Sequence, residues 1–193
     1  VSVPAAERPE LMSGELTTAA IARAVGHHLP ENAIIADESV TSGREFFGFT
    51  HGAAPHDHLQ VTGGAIGGGM PLACGAAIAC PDRKVVNLQA DGSAMYTNQA
   101  LWTMAREGTD TCTVIFANQR YAILQGELKN VGAGEPGVNA NKMLNLDEPA
   151  IDWVSLAGGM GVEAARASTA EEFNDLFGSA MKRKGPFLIE ALI

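Results

Sequence analysis

Cysteine is scarce in this chain: Cys74, Cys80 and Cys112 are the only three in 193 residues, and no two form a C-x-x-C pair. An odd number without ligand spacing excludes a disulfide framework and a zinc ribbon, and fits a reducing compartment. Basic charge is also short, with 13 Lys and Arg against 22 Asp and Glu for a net charge of -9. A nucleic-acid partner needs clustered Lys and Arg, so that class is excluded. The one basic cluster, Lys182-Arg183-Lys184, closes a helical pattern just before Gly185-Pro186, where cations complement the helix dipole. No apolar run is long and glycine-free enough to span a bilayer, and no charged-then-apolar signal opens the chain. A cytoplasmic protein with no membrane partner is expected. Gly-x-Ser-x-Gly is missing, and no Gly-Lys-Ser/Thr follows the glycine run at 63–69, which removes the hydrolase elbow and the nucleotide P-loop.

What is present is an ordinary globular composition, 46% apolar and 18% charged, enough for one well-cored domain. The chain opens on Val1 rather than Met; 1–12, with Pro4 and Pro9, reads as a linker or tail and 13–193 as the domain, a piece of a longer polypeptide. Helical spacing recurs over Leu16–Leu29, Leu72–Cys80, Asn98–Glu107, Ile151–Met160 and Ala170–Arg183, the last capped by Thr169. Short apolar runs at Ala33–Ala36, Val85–Leu88, Thr113–Phe116 and Phe187–Ile193 read as strands, the first and last of them buried, and Val162–Ala165 reads as a further strand. The segment Phe46–His58 reads as irregular, and Gly126–Asn145 as a long functional or mobile loop. Strands alternating with helices predict an α/β fold, a mostly parallel central sheet with helices on both faces.

Two strands end on ligand-type residues. Val85–Leu88 runs into Asp91-Gly92-Ser93, and Thr113–Phe116 into Asn118-Gln119-Arg120-Tyr121. Ligands of an open parallel sheet sit outside the carboxyl ends of its strands, and Asp and Asn are hard oxygen donors of the kind magnesium takes beside phosphate. Favoured turn residues at two strand ends explain the same pattern, and spacing alone does not separate the two readings. The glycine run Gly63–Gly69 implies close backbone approach. Gly132-Ala-Gly-Glu-Pro-Gly137 matches a dinucleotide fingerprint on paper but lacks its strand and helix. His56-Asp57-His58 reads as a solvated loop rather than a metal site, and His27-His28 as a structural helix end.

Asp91-Gly-Ser followed by Asn118, 27 positions after the acid, resembles the thiamine diphosphate signature of Gly-Asp-Gly, some two dozen residues, and Asn-Asn. Ala90 and Ala117 stand where that signature has its first Gly and its first Asn. Gly63–Pro71, Ala100-Leu-Trp-Thr103, Ile151-Asp-Trp153 and Lys184-Gly-Pro-Phe-Leu-Ile-Glu190 extend the likeness over nearly the whole chain. It is similar to the C-terminal, diphosphate-binding domain of the acetolactate synthase and benzoylformate decarboxylase group.

The resemblance implies thiamine diphosphate and Mg2+ as cofactors, with magnesium on Asp91, Asn118 and the backbone oxygen of Arg120. It implies that Gly92, Ser93 and Tyr121, with Ser39 and Thr41 from the first strand end, hold the phosphates. Ile66 would wedge the cofactor into its V shape, a role suited to a β-branched side chain stiff at its first torsion, and Gly64 and Ile66 would meet the aminopyrimidine. It further implies an enzyme that decarboxylates a 2-oxo acid substrate and joins the carbanion to a second one, with simple benzoylformate decarboxylation as the alternative. A non-catalytic assembly module of the same fold is a third reading, encouraged by Ala90 and Ala117. The glutamate that activates the cofactor would come from the N-terminal pyrimidine-binding domain of another subunit, giving a homodimer or homotetramer. FAD is possible in the full-length enzyme, with no site in this chain. Alone, the chain is expected to be inactive.

Overall fold

A computed structural model describes residues 7–193. Of the expected linker, 1–6 lie outside the described residues, and 7–12 carry no helix or strand. Six strands form one all-parallel sheet: β1 (Ile34–Glu38), β2 (Asp57–Gln60), β3 (Val85–Ala90), β4 (Thr111–Ala117), β5 (Glu163–Ala167) and β6 (Phe187–Leu192), in the order β2-β1-β3-β4-β6-β5. The predicted α/β class holds, with the sheet parallel throughout. The central strands β3, β4 and β6 are buried nearly end to end, as strands covered on both faces must be.

Helices α1 (Thr18–His28) and α9 (Ala170–Ala180) cover one face, where Ile21, Val25, Phe173 and Phe177 pack on Ile35, Val86, Val114 and Ile189. Both have side-chain caps: Thr17 accepts from Ala20 N–H, and Thr169 from Glu172 N–H. On the other face lie α3 (Gly69–Ala79), α5 (Ala100–Glu107) and α8 (Trp153–Gly159), with Met70, Leu101, Met104 and Trp153 against Ile34, Val85, Ile115 and Leu188. Gly108, at φ 60, ends α5 in the left-handed conformation that glycine adopts without steric cost.

Two stretches differ from the sequence reading. Phe46–His58 holds a short helix, α2 (Phe46–Thr50), and the start of edge strand β2. His56-Asp57-His58 is a solvated loop only in part: His56 precedes the strand and Asp57 is exposed, but His58 lies in β2 with its side chain 12% exposed and its ring 4.8 Å from that of Phe47. The expected loop at 126–145 contains most of α6 (Ala122–Asn130) and all of α7 (Val138–Leu144). Neither helix has a buried residue, so neither carries the apolar stripe from which a helix is read. The basic triplet follows α9, and two of its three members are paired, Arg183 with Glu163 and Lys184 with Asp110. All three cysteines are free thiols, and burial pushes that of Cys112 up to about 12.

Strand order reverses between β1 and β3: the chain steps outward from β1 to β2, then returns past β1 to β3 and on to β4. That is the switch point of an open parallel sheet, where the connections leave in opposite directions and open a crevice at the carboxyl ends.

Candidate functional site

The crevice is a cavity of about 480 Å³. All ten residues singled out in the sequence lie on its wall: Ser39 and Thr41 beyond β1, Gly64 and Ile66 beyond β2, Asp91, Gly92 and Ser93 beyond β3, and Asn118, Arg120 and Tyr121 beyond β4. Phe47, Val61 and Ile123 add apolar wall, and Arg44 and Arg120 bring positive charge.

Asp91 opens α4 (Asp91–Ala94) and is only 3% exposed. Its Oδ1 accepts from Gly92 N–H at 2.7 Å and its Oδ2 from Gln119 N–H at 2.7 Å. Burial pushes its pKa up to about 6, and those two backbone bonds only partly offset the desolvation. Each oxygen keeps a lone pair for a further partner. Asn118 follows β4; its Oδ1 accepts from Arg120 N–H at 3.1 Å. The segment 119–121 that follows Asn118 is pinned from outside, since Tyr121 N–H donates to Leu144 O at 2.8 Å and Leu146 N–H to Gln119 O at 2.7 Å. The Arg120 carbonyl accepts no hydrogen bond among the described residues.

Among the described residues three non-glycine positions have positive φ, and two of them adjoin this cavity: Val40 at 52° between Ser39 and Thr41, and Gln119 at 55° between Asn118 and Arg120. A β-branched residue rarely accepts that conformation, and such strain concentrates where a site needs it. Gly92 lies flat against Tyr121: a Cβ there would come within 2.5 Å of the Tyr121 ring. Burial, then the charges of Tyr96 and Asp91, raises the Tyr121 phenol pKa, so it remains a proton donor at neutral pH.

The hydroxyls fall into two groups. Those of Thr41, Ser93 and Tyr121 have no hydrogen-bond partner among the described residues and stand on the cavity wall. Ser39 differs, because its N–H donates to Asp37 Oδ1 at 2.9 Å and its hydroxyl to the same oxygen at 2.5 Å. Both donors expected to meet a phosphate are thus engaged within the protein. Asp37 in turn faces His58, whose Nε2 lies 3.3 Å from Oδ2 without the alignment of a hydrogen bond. Burial raises the Asp37 pKa, but His58 and Ser39 outweigh it and hold the carboxyl below its ordinary range.

Sequence reasoning passed over Glu38, Gln119 and Asp37. Glu38 is 4% exposed and bonds the glycine run. The visible signal was an acidic pair ending an apolar strand, but its partner is 29 residues away.

A buried carboxylate short of compensating donors, beside an amide oxygen, an unused carbonyl and three unpartnered hydroxyls, suits a divalent cation that bridges protein to phosphate. The residues present therefore fit a magnesium diphosphate group.

Residues 40–191 match the family described as "Thiamine pyrophosphate enzyme, C-terminal TPP binding domain"; thiamine pyrophosphate is thiamine diphosphate. The chain is 50% identical over 192 residues to the "Putative acetolactate synthase large subunit IlvX" of Mycobacterium tuberculosis, covering 99% of this chain and 37% of that protein. It is 34% identical over 164 residues to benzoylformate decarboxylase of Pseudomonas aeruginosa, covering 83% and 29%. Among solved structures it resembles the thiamine diphosphate-dependent 4-hydroxybenzoylformate decarboxylase of Rhodococcus jostii, with a TM-score of 0.82 and 33% identity over 97% of this chain and 35% of that one. The chain thus spans about a third of the length of each of these relatives. Fold, cavity and matched span agree: the chain belongs to the thiamine pyrophosphate enzymes, as their C-terminal TPP-binding domain.

Proposed function

We propose that the cavity seats the diphosphate end of thiamine diphosphate through a magnesium ion, in an enzyme that decarboxylates a 2-oxo acid and ligates the product to a second 2-oxo acid. The observation that carries this reading is Asp91, a buried carboxylate facing the cavity at the switch point with its pKa raised to about 6. Asp91 and Asn118 would give side-chain oxygens to the ion and Arg120 its backbone oxygen. Thr41, Ser93 and Tyr121 would donate hydroxyl hydrogen bonds to phosphate, with Gly92 leaving room for the ring of Tyr121. Ser39 would contribute only after giving up Asp37.

Ile66 is 49% exposed, an apolar β-branched side chain held at the cavity rather than in the core. It would bear on the cofactor rings, with Gly64 beside it. When bound, thiamine diphosphate supplies the electron sink that makes loss of carbon dioxide from a 2-oxo acid feasible. This chain's residues anchor and orient; the acid that activates the cofactor would come from an N-terminal pyrimidine-binding domain of another subunit, in a dimer or tetramer.

The 50% identity with the IlvX relative supports ligation. A second reading, decarboxylation of an aromatic 2-oxo acid, draws on the benzoylformate relatives and on the apolar wall of Phe47, Val61 and Ile123. Product analysis of the full-length protein separates them. Acetolactate from pyruvate is expected; benzaldehyde from benzoylformate with no product from pyruvate overturns ligation in favour of the second reading. Failure to bind thiamine diphosphate with magnesium would leave a non-catalytic module of the same fold.

A further inference from the structure

The glycine run that carries Gly64 and Ile66 is exposed over 62–66 and has little packing of its own. Gly63 and Gly64 have positive φ of 65° and 69°, and a Cβ on either would meet nothing within 4 Å. Such a segment does not hold a side chain in place unaided. The structure fastens it one residue further on. Glu38, at the end of β1, accepts from Gly67 N–H at 2.6 Å through Oε1 and from Gly69 N–H at 2.8 Å through Oε2. Gln89, its register partner on β3, donates its side-chain amide to Oε2 at 2.8 Å. Thr97 closes the other side, its hydroxyl donating to Gly67 O at 2.7 Å.

Packing leaves the fastening no slack. A Cβ on Gly69 would come within 2.3 Å of Gln89 Oε1 and 2.6 Å of Glu38 Cβ, and one on Gly67 within 2.7 Å of Tyr96 Cβ. The carboxylate bridges two backbone N–H groups 29 and 31 residues away and is 4% exposed, so its charge is matched by aimed donors rather than by water. Gln89 stands directly before Ala90 and Asp91 on the same strand. One buried carboxylate therefore ties the Ile66 segment to the strand that delivers Asp91.

We propose that Glu38 is a positioning residue that sets Ile66 and Gly64 relative to Asp91, so that the ring end and the diphosphate end of one ligand are met together. The inference rests on the cofactor reading above. Glu38 borders the cavity but commits both carboxylate oxygens to Gly67, Gly69 and Gln89, and so governs the distance between the two halves of the site.

The test separates the halves by ligand. Magnesium with inorganic diphosphate reports the Asp91 and Asn118 anchor alone, whereas magnesium with thiamine diphosphate reports anchor and ring contacts together. In Glu38→Gln the amide nitrogen faces a backbone N–H and one fastening is lost. Calorimetry on the full-length protein should show thiamine diphosphate weakened about ten-fold or more, with inorganic diphosphate within about two-fold of wild type. Thr97→Val, which removes only the hydroxyl on Gly67 O, should weaken thiamine diphosphate in the same selective way but less, and serves if Glu38→Gln folds poorly. Equal loss of both ligands in the two variants would make Glu38 and Thr97 merely structural, and unchanged binding of both would overturn the inference. If wild type binds neither ligand, the cofactor reading falls and this inference with it.

Discussion

Replacing Asp91 by Asn tests the electrostatics of the cavity without any ligand. The Asp91 carboxyl takes up its proton near pH 6 when folded and near its ordinary 3.8 when unfolded. Between those values the folded state holds more protons, so stability falls as pH rises through the window, and the full penalty is present above pH 6. The gap from 3.8 to about 6 corresponds to about 3 kcal/mol at neutral pH, an order-of-magnitude figure. About 2 kcal/mol of it should develop between pH 4.5 and 7.5. An Asn side chain turns its amide nitrogen on one of the two backbone N–H donors, a cost that does not vary with pH, and it has no proton to lose, so Asp91→Asn lacks the pH-dependent penalty of the wild type. Urea unfolding of both proteins across that range gives the assay, and subtraction cancels every group they share, His28 included. The stability of Asp91→Asn minus that of wild type should grow by about 2 kcal/mol as pH rises. Magnesium with inorganic diphosphate at pH 7.5 should close part of the gap by binding wild type in preference. A difference that stays flat or shrinks with rising pH would refute the raised carboxyl.

Gly92→Ala places a Cβ 2.5 Å from the Tyr121 ring and should drive the ring out of place, costing binding of magnesium diphosphate by calorimetry while the far-ultraviolet dichroism stays unchanged. His28 has its pKa lowered, chiefly by burial, against a bond of 2.7 Å to Asn174. The unfolded chain protonates there first, so stability should drop as pH falls through 6.5, and subtraction of His28→Gln should remove that slope from urea midpoints. Phe177→Ala empties a fully buried position stacked on Phe173 at 5.6 Å and should cost about 3 to 5 kcal/mol in urea unfolding, with little change in ligand preference.

The central strands were legible because a strand covered on both faces has to be a mostly apolar run, as Val85–Leu88 and Thr113–Phe116 are despite the buried Asn87 and Thr113. Edge strand β2 was not: in Asp57-His58-Leu59-Gln60 only Leu59 is apolar, since only one side pairs and part of it meets water. Helices α6 and α7 hid for a related reason. A helix that buries nothing has no stripe to read, and Gly126 within α6 argued against it locally. For the site, Asp91 and Asn118 could be found because strand ends deliver them to one edge of the sheet. The work of Glu38 could not, because its partners are 29 and 31 residues on and the bonds exist only after the sheet forms. The position of Ser39 was visible, but not that Asp37 engages both of its donors.

The account rests on one ion between Asp91, Asn118 and the Arg120 carbonyl. Crystals of the full-length protein grown with thiamine diphosphate and manganese in place of magnesium would show that ion directly by its anomalous scattering. A peak in coordinating contact with Asp91, Asn118 Oδ1, Arg120 O and two phosphate oxygens is the predicted result. A diphosphate seated elsewhere, or bound at this cavity with no metal peak between it and Asp91, would contradict it.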